Sequence, residues 1–192
     1  VKRSMDILIS GIVILFSPFW YLPIAIAVKK SSPGPVLFRQ KRTGYMGRDF
    51  DCLKFRTMKI NKDSDTKQAE RGDSRITKVG AFLRKTSLDE FPQFFNVFMG
   101  DMSLVGPRPH MLKHTEDYSK LIDKYMVRHF IKPGITGWAQ VNGYRGETKT
   151  LQQMEKRVEY DVWYLEHWNI FLDVKILLLT FWGIFKGDDN AF

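Results

Sequence analysis

The chain has little cysteine and a deficit of acidic residues. Cys52 is the single cysteine among 192 residues, which excludes an intrachain disulfide and is typical of proteins from a reducing compartment. Asp and Glu number 21 against 30 Lys and Arg, so the formal net charge is +9. This excess predicts an anionic partner such as phospholipid headgroups or a phosphorylated substrate. No motif typical of nucleic-acid binding is present, so nucleic acid is not among the expected partners.

Charged residues are also missing from positions 7–28, which read ILISGIVILFSPFWYLPIAIAV. A straight helix of this length would run about 33 Å, enough to cross a bilayer. However, Pro18 lacks a backbone donor and disfavours the helical conformation of Ser17. Basic residues flank both ends of the run, which favours both ends on the cytoplasmic side. We therefore expect a membrane hinge at Ser17 and Pro18 within a re-entrant helical hairpin at 1–30, with a proline-kinked transmembrane helix as the alternative.

The remaining residues, 31–192, have the size and composition of one structural unit. Strand-like alternation on both sides of a Gly-containing turn at 43–47 predicts a small β-hairpin. Residues 61–74 are predicted to form a surface loop, and the alternative is a lid over a site. Helices are expected to end near Lys85 and to span about 87–98 and 151–167. The apolar segment 170–187 predicts a helix that lies in the membrane interface or packs in the core. The expected fold class is α+β and mostly helical.

The segment from Lys29 to Lys59 holds nine basic residues against two acidic ones. Directly after a membrane-inserted hairpin, most of these charges are expected to contact anionic phospholipid headgroups. Lys54 and Arg56 stand two residues apart on a predicted strand and so would share one face. This spacing suits a pair that binds one phosphate.

Two adjacent carboxylates, Asp89 and Glu90, open the aromatic-rich segment SLDEFPQFFNVF. Ser87 to Glu90 matches a capping box, in which Ser87 caps the helix and Glu90 reaches back to it. If Asp89 were the cap instead, Pro92 would lie in the first turn, where its missing N–H costs no hydrogen bond. In either register Asp89 lies at the positive end of the helix, so capping alone would account for the motif.

The neighbours of the pair favour chemistry over capping. Arg84 precedes it, Asp101 follows the helix, and Arg108 lies between two prolines, Pro107 and Pro109. Carboxylates that hold a divalent cation, beside arginines that hold phosphate, are what phosphoryl transfer requires. Further along, the Gly-rich segment HFIKPGITGWAQVNGYRGET adds candidate substrate contacts at Gln140, Asn142 and Arg145.

Long, ordered motifs give the sequence a family resemblance. KFRTM, SLDEFPQFFNVFMGDMSLVGPRP, KPGITGWAQVNG and the interrupted N-terminal helix resemble the bacterial sugar transferases, the monotopic phosphoglycosyl transferases. The similarity runs from Lys2 to Phe192. YRGET and the C-terminal NAF are most similar to the catalytic domain of undecaprenyl-phosphate glucose or galactose phosphotransferases.

The resemblance implies a two-step transfer of hexose-1-phosphate from a UDP-sugar to undecaprenyl phosphate, at the first membrane step of polysaccharide or glycoconjugate assembly. It implies Asp89 as the nucleophile, Glu90 as its catalytic partner, and release of UMP. The implied cofactor is Mg²⁺, with Asp89 and Asp101 as candidate ligands. The candidate substrate-binding residues are Lys54, Arg56, Arg84, Pro107, Arg108, Gln140, Asn142 and Arg145.

The expected location is the cytoplasmic face of the bacterial inner membrane. Residues 1–30 would form a monotopic anchor and 31–192 a cytoplasmic catalytic domain, while a homo-oligomer is left open. The rival hypothesis is a non-catalytic basic module that binds membrane or nucleic acid through its positive charge.

Overall fold

The apolar N-terminal segment folds as two helices, α1 (Lys2–Leu15) and α2 (Ser17–Ser31), which are bent by 61° at the break between them. Pro18 lies in the first turn of α2, where a missing N–H leaves no hydrogen bond unmade. The predicted break at Ser17 and Pro18 is confirmed. Among the described helices, none is long and apolar enough to cross a membrane alone, whereas the bent pair together meets that requirement by length and composition.

This computed structural model describes residues 1–61, 72–146 and 150–186, with side chains up to 183. Most of the predicted surface loop at 61–74 therefore lies outside the described residues. The predicted hairpin is confirmed as β1 (Leu37–Thr43) paired antiparallel with β2 (Asp49–Phe55). A second, parallel pair joins β3 (Ser103–Val105) to β4 (Gly134–Thr136) and was not predicted.

The other helices are mostly short. They are α3 (Lys78–Lys85), α4 (Gln93–Met99), α5 (Leu112–Ser119), α6 (Trp138–Val141), α7 (Leu151–Glu166) and α8 (Ile170–Lys186). Three 3₁₀ turns, Tyr45–Gly47, Leu88–Glu90 and Tyr125–Phe130, complete the described elements. The α+β class and the predicted helices ending near Lys85 and spanning 151–167 are confirmed.

Buried polar contacts hold the start of α1 to the rest of the protein. Lys2 Nζ donates to Asp173 Oδ2 at 2.6 Å, and Asp173 also accepts from the Tyr164 hydroxyl and, at 3.1 Å, from Trp168 Nε1. We call these four residues the N-terminal anchor. Asp6 Oδ1 accepts from the backbone N–H of residue 104 on β3 at 2.9 Å. The first turns of α1 are thus fixed to α8 and β3 by hydrogen bonds.

The start of α2 packs against the segment that carries the two carboxylates. Trp20 Nε1 donates to the Val13 carbonyl across the break at 3.0 Å. The Trp20 ring meets Phe91 edge to face at 5.5 Å between centroids, and Phe55 at 6.2 Å. Because Phe91 directly follows Glu90, the helix break and the acidic pair belong to one packed region.

Candidate active site

The turn that carries the carboxylates differs from the predicted helix start. Ser87 has a left-handed backbone with φ of 58°, and its side chain caps no helix. Residues Leu88–Glu90 form a 3₁₀ turn, and α4 begins only at Gln93, with Pro92 at the N-cap position. The capping-box prediction is therefore wrong, and so is the alternative with Asp89 as the cap. The left-handed residue turns the chain away from helical geometry before the carboxylates.

Glu90 is held by two cations. Lys54 Nζ donates to Oε1 at 2.7 Å, and Arg108 Nη2 donates to the same oxygen at 2.7 Å. A longer contact of 3.4 Å joins Arg108 Nη1 to Oε2. Burial by itself would raise the pKa of Glu90, but the charges and hydrogen bonds of Arg108 and Lys54 outweigh it and hold the pKa well below its usual range.

Asp89 is in the opposite situation. It is only 7% exposed, yet its carboxylate has no hydrogen bond or ion pair with any residue that the structure describes. Burial raises its pKa to about 6, and the charge of Glu90 adds to this, although Lys54, Arg84 and Arg108 act against the shift. Two adjacent carboxyl groups therefore have pKa values pushed apart, which is typical of groups with different catalytic roles.

Other predicted basic residues lie around this pair. Arg84 Nε donates to Thr57 Oγ1 at 2.9 Å, and its charge acts on Asp89. Arg145 Nη2 donates to Ser87 Oγ at 2.7 Å, which links the Gly-rich segment to the turn before Asp89. The structure thus brings Lys54, Arg84, Arg108 and Arg145 to the acidic pair or its turn.

Arg56 has different partners from Lys54. Strand β2 ends at Phe55, so the two-residue alternation that would align Lys54 with Arg56 stops before Arg56. The Arg56 guanidinium donates to the carbonyls of Ser32 and Pro33. The two side chains therefore do not converge on one target as predicted.

Three more predicted residues also make contacts elsewhere. Gln140 donates to the Ile135 carbonyl at 3.2 Å, and the exposed Asn142 donates to the Trp138 carbonyl at 2.7 Å. Asp101 follows the C-terminal end of α4, where it accepts from Asn96 at 3.3 Å, whereas Asp89 precedes the N-terminal end. The structure does not bring Asp101 together with Asp89, because a helix separates them.

Arg108 belongs to a loop, residues 106–110, that continues from β3. Gly106 N donates to the Thr136 carbonyl at 2.8 Å, and the Pro107 carbonyl accepts from Gly134 N at 2.9 Å. A β-carbon on Gly106 would overlap the backbone carbonyl of Lys132, so this close approach needs glycine. The parallel strand pair thereby fixes the start of the loop.

The far side of this loop contacts Arg128, which sequence reasoning missed. Arg128 Nη2 donates to the Arg108 carbonyl at 2.9 Å and forms an ion pair of 2.7 Å with Asp161 on α7. No local pattern points to this residue. The one signal is an arginine within the largely apolar YMVRHFI, since a buried guanidinium needs a buried partner.

The acidic pair fits one type of magnesium site. Among the described residues, no three or more His, Cys, Asp or Glu side chains form a group that would hold a metal ion. Mg²⁺ is often held by only one or two carboxylates together with substrate phosphates and water. Asp89 and Glu90 match that pattern, and Asp101 does not join them.

Comparison with known proteins adds to this geometry. Residues 1–187 match the family model described as bacterial sugar transferase. A UDP-glucose:undecaprenyl-phosphate glucose-1-phosphate transferase of Escherichia coli is 54% identical over 191 residues, which cover 99% of this chain and 40% of that protein. A protein of the same name from Caulobacter vibrioides is 46% identical over 100% of this chain and 72% of its own length.

A relative named for another sugar also matches. The UDP-N-acetylgalactosamine-undecaprenyl-phosphate N-acetylgalactosaminephosphotransferase of Aeromonas hydrophila is 44% identical over 97% of this chain and 44% of its own length. The chain thus spans less than half of the Escherichia coli and Aeromonas hydrophila proteins. These relatives carry different sugars in their names, so family likeness does not specify the sugar.

Proposed function

Because the chain belongs to the bacterial sugar transferase family, we propose that it transfers hexose-1-phosphate from a UDP-sugar to undecaprenyl phosphate. The observation that carries the proposal is the contrast at the acidic pair. Asp89 is buried and lacks a partner among the described residues, while Glu90 is bound by two cations. An unpaired carboxylate that ionises near neutral pH is suited to act as a nucleophile.

In the first step, a carboxylate oxygen of Asp89 attacks the phosphorus that bears the sugar. The bond from that phosphorus to the bridging oxygen breaks, and UMP leaves with the bonding electron pair. The product is an acyl phosphate that joins Asp89 to the sugar phosphate. In the second step, a phosphate oxygen of undecaprenyl phosphate attacks the same phosphorus, and the Asp89 carboxylate is released unchanged.

An anionic nucleophile and a diphosphate repel each other, so the site must supply positive charge. Arg84, Arg108 and Lys54 all act on Asp89 with their charges. Glu90 would keep Lys54 and Arg108 beside the attacking carboxylate. A magnesium ion held by Asp89 and Glu90 together with the donor's phosphates would neutralise further phosphate charge.

We further propose that α1 and α2 form a re-entrant hairpin in the cytoplasmic leaflet of the inner membrane. Large apolar side chains are exposed on both helices and on α8, as in Phe19, which is 77% exposed, and Phe171, which is 81% exposed. The contact between Trp20 and Phe91 supports a catalytic pair held close to the lipid surface. There a lipid-borne acceptor phosphate and a soluble nucleotide would both reach Asp89, beside anionic phospholipid headgroups.

The test uses the purified chain in detergent with UDP-glucose, UDP-galactose or UDP-N-acetylgalactosamine and Mg²⁺, while UMP is recorded. Without undecaprenyl phosphate, we expect UMP release to stop after one turnover, with a sugar phosphate attached to Asp89 in mass spectra. Adding the acceptor should restore continuous turnover. Absence of UMP with all three donors, or an adduct on another residue, would contradict the proposal.

A further inference from the structure

A buried ion pair lies behind the loop that carries Arg108. Arg128, in the 3₁₀ turn Tyr125–Phe130, and Asp161, on α7, approach to 2.7 Å with side chains only 1% and 2% exposed. Arg128 also donates to the Arg108 carbonyl at 2.9 Å, and its Nη1 lies 2.6 Å from His110 Nδ1. One guanidinium therefore binds the loop on both sides of Pro109.

The neighbouring carbonyls of this loop also have donors. Arg42 Nη1 donates to the Pro109 carbonyl at 3.2 Å, and Thr43 N donates to the His110 carbonyl at 3.2 Å. Pro107 and Pro109 have no N–H, so around Arg108 the loop is held largely through its carbonyl oxygens and the His110 ring. Burial and the nearby Arg128 keep the pKa of His110 well below its usual range, so the neutral ring can accept from Arg128.

Stability alone does not explain such a pair. Buried ion pairs often contribute little to stability, because desolvation offsets their attraction, and apolar replacements of similar size are often neutral. The pair contacts the Arg108 carbonyl through Arg128, and the Arg108 guanidinium donates to Glu90 at 2.7 Å. We infer that Arg128 and Asp161 are a positioning pair that holds Arg108 against Glu90. Its effect on turnover rests on the proposed function.

The test replaces the pair by apolar residues, Arg128→Met with Asp161→Leu. We expect UMP release per folded molecule to fall about 10²-fold, as for a misplaced catalytic group, while the melting temperature falls because Asp161 also acts on the buried Arg157. The matched control is Lys2→Met with Asp173→Leu, which removes another buried ion pair, of 2.6 Å, in the N-terminal anchor. The folded molecules of this control variant should keep wild-type turnover. Wild-type turnover in the Arg128–Asp161 variant would overturn the inference.

A second variant addresses misfolding. Arg128→Lys keeps a charge beside Asp161 but loses the planar fork that reaches both the Arg108 carbonyl and His110. In the Arg108→Ala background, adding Arg128→Lys should cause no further loss, because the pair acts through Arg108. If the losses of turnover caused by Arg108→Ala and Arg128→Lys multiply in the double variant, Arg128 acts independently of Arg108 and the inference is wrong.

Hydrogen exchange of the segment 106–110, measured without substrate, separates this inference from the proposed function. Hydrogen exchange in this segment should be faster in the Arg128 variants than in the control variant Lys2→Met with Asp173→Leu. Unchanged exchange would overturn the positioning role whatever the activity of the wild type. If the loop is protected in the wild-type protein but the protein releases no UMP, the proposed function is refuted while the placement of Arg108 by the pair is supported.

Discussion

Two buried clusters of charged residues differ in how completely their members are paired. In the N-terminal anchor, Asp173 is fully buried and accepts from Lys2, Tyr164 and Trp168. In the acidic pair, Glu90 is similarly bound by Lys54 and Arg108, but Asp89 has no such partner among the described residues. Both clusters are buried and charged, and only one leaves a carboxylate unpaired.

Under the proposed function, the difference is that between a structural cluster and a catalytic one. Burying a charge without a partner destabilises a fold, so such a group is retained where function needs it. The N-terminal anchor holds α1 against β3 and α8, and within it Asp173 accepts hydrogen bonds from three donors. The acidic pair leaves the Asp89 carboxylate without a partner among the described residues, within reach of the charges of Lys54, Arg84 and Arg108. Removing a member of each cluster should therefore have opposite consequences.

The largest effect is expected for Asp89→Asn. UMP release should fall by at least about 10⁴-fold, because the amide is not a nucleophile. The same change should stabilise the fold by as much as about 3 kcal/mol at neutral pH, since a pKa raised from 3.8 to about 6 measures the penalty on the buried charge. Steady-state kinetics and chemical denaturation measure the two effects. If Asp89→Asn lowers the stability of the fold as well as the activity, the contrast between the two clusters is wrong.

Breaking the N-terminal anchor should lower the stability of the fold and leave the activity unchanged. Lys2→Met leaves Asp173 buried without its cation and should cost about 3–5 kcal/mol of unfolding free energy. The rate per folded molecule should stay unchanged, because Lys2 contacts neither carboxylate of the acidic pair and reaches only the Val105 carbonyl, at 2.9 Å, at the end of β3. Thermal melts and active-site titration with a UDP-sugar measure this. A reduced rate in fully folded protein would link the anchor to chemistry.

The pH dependence should distinguish the two carboxylates of the pair. With Asp89 as the proposed nucleophile, turnover should fall about tenfold per pH unit below about pH 6, because only the ionised carboxylate attacks. Since the native state binds this proton more tightly than the unfolded chain, Asp89 should destabilise the fold increasingly between about pH 4 and pH 6, and fully above that range. The stabilisation from Glu90, whose pKa is lowered, should be complete above about pH 4.5 and should be lost progressively as the pH falls below that value. Comparing wild type with Asp89→Asn isolates the Asp89 contribution from that of the histidines.

A smaller effect should separate Lys54 from Arg56. Lys54→Met removes one of the two cations on Glu90 and should lower turnover about 10- to 100-fold, as when a hydrogen-bonding partner of an active-site ligand is lost. Arg56→Met removes donors to the Ser32 and Pro33 carbonyls, so we expect lower stability and an unchanged KM for the UDP-sugar. Equal increases in KM for both variants would restore the hypothesis that they bind one phosphate.

Local features could be predicted from the sequence because their causes are local. The break at Ser17 and Pro18 follows from the proline ring, and the hairpin follows from alternation around a Gly-containing turn. The capping box failed because Ser87 adopts a left-handed backbone, with φ of 58°, that the motif does not reveal. Alternation likewise failed for Arg56, which lies just past the end of a strand.

The sequence by itself determined where the chain bends and which carboxylates stand side by side. Tertiary structure decided which of them is paired, because Lys54 and Arg108 reach Glu90 from 36 and 18 residues away. It also placed Arg128 behind the Arg108 loop, 20 residues away along the chain. Backbone sterics act over a few residues, whereas burial and ion pairing depend on distances that exist only once the chain is packed.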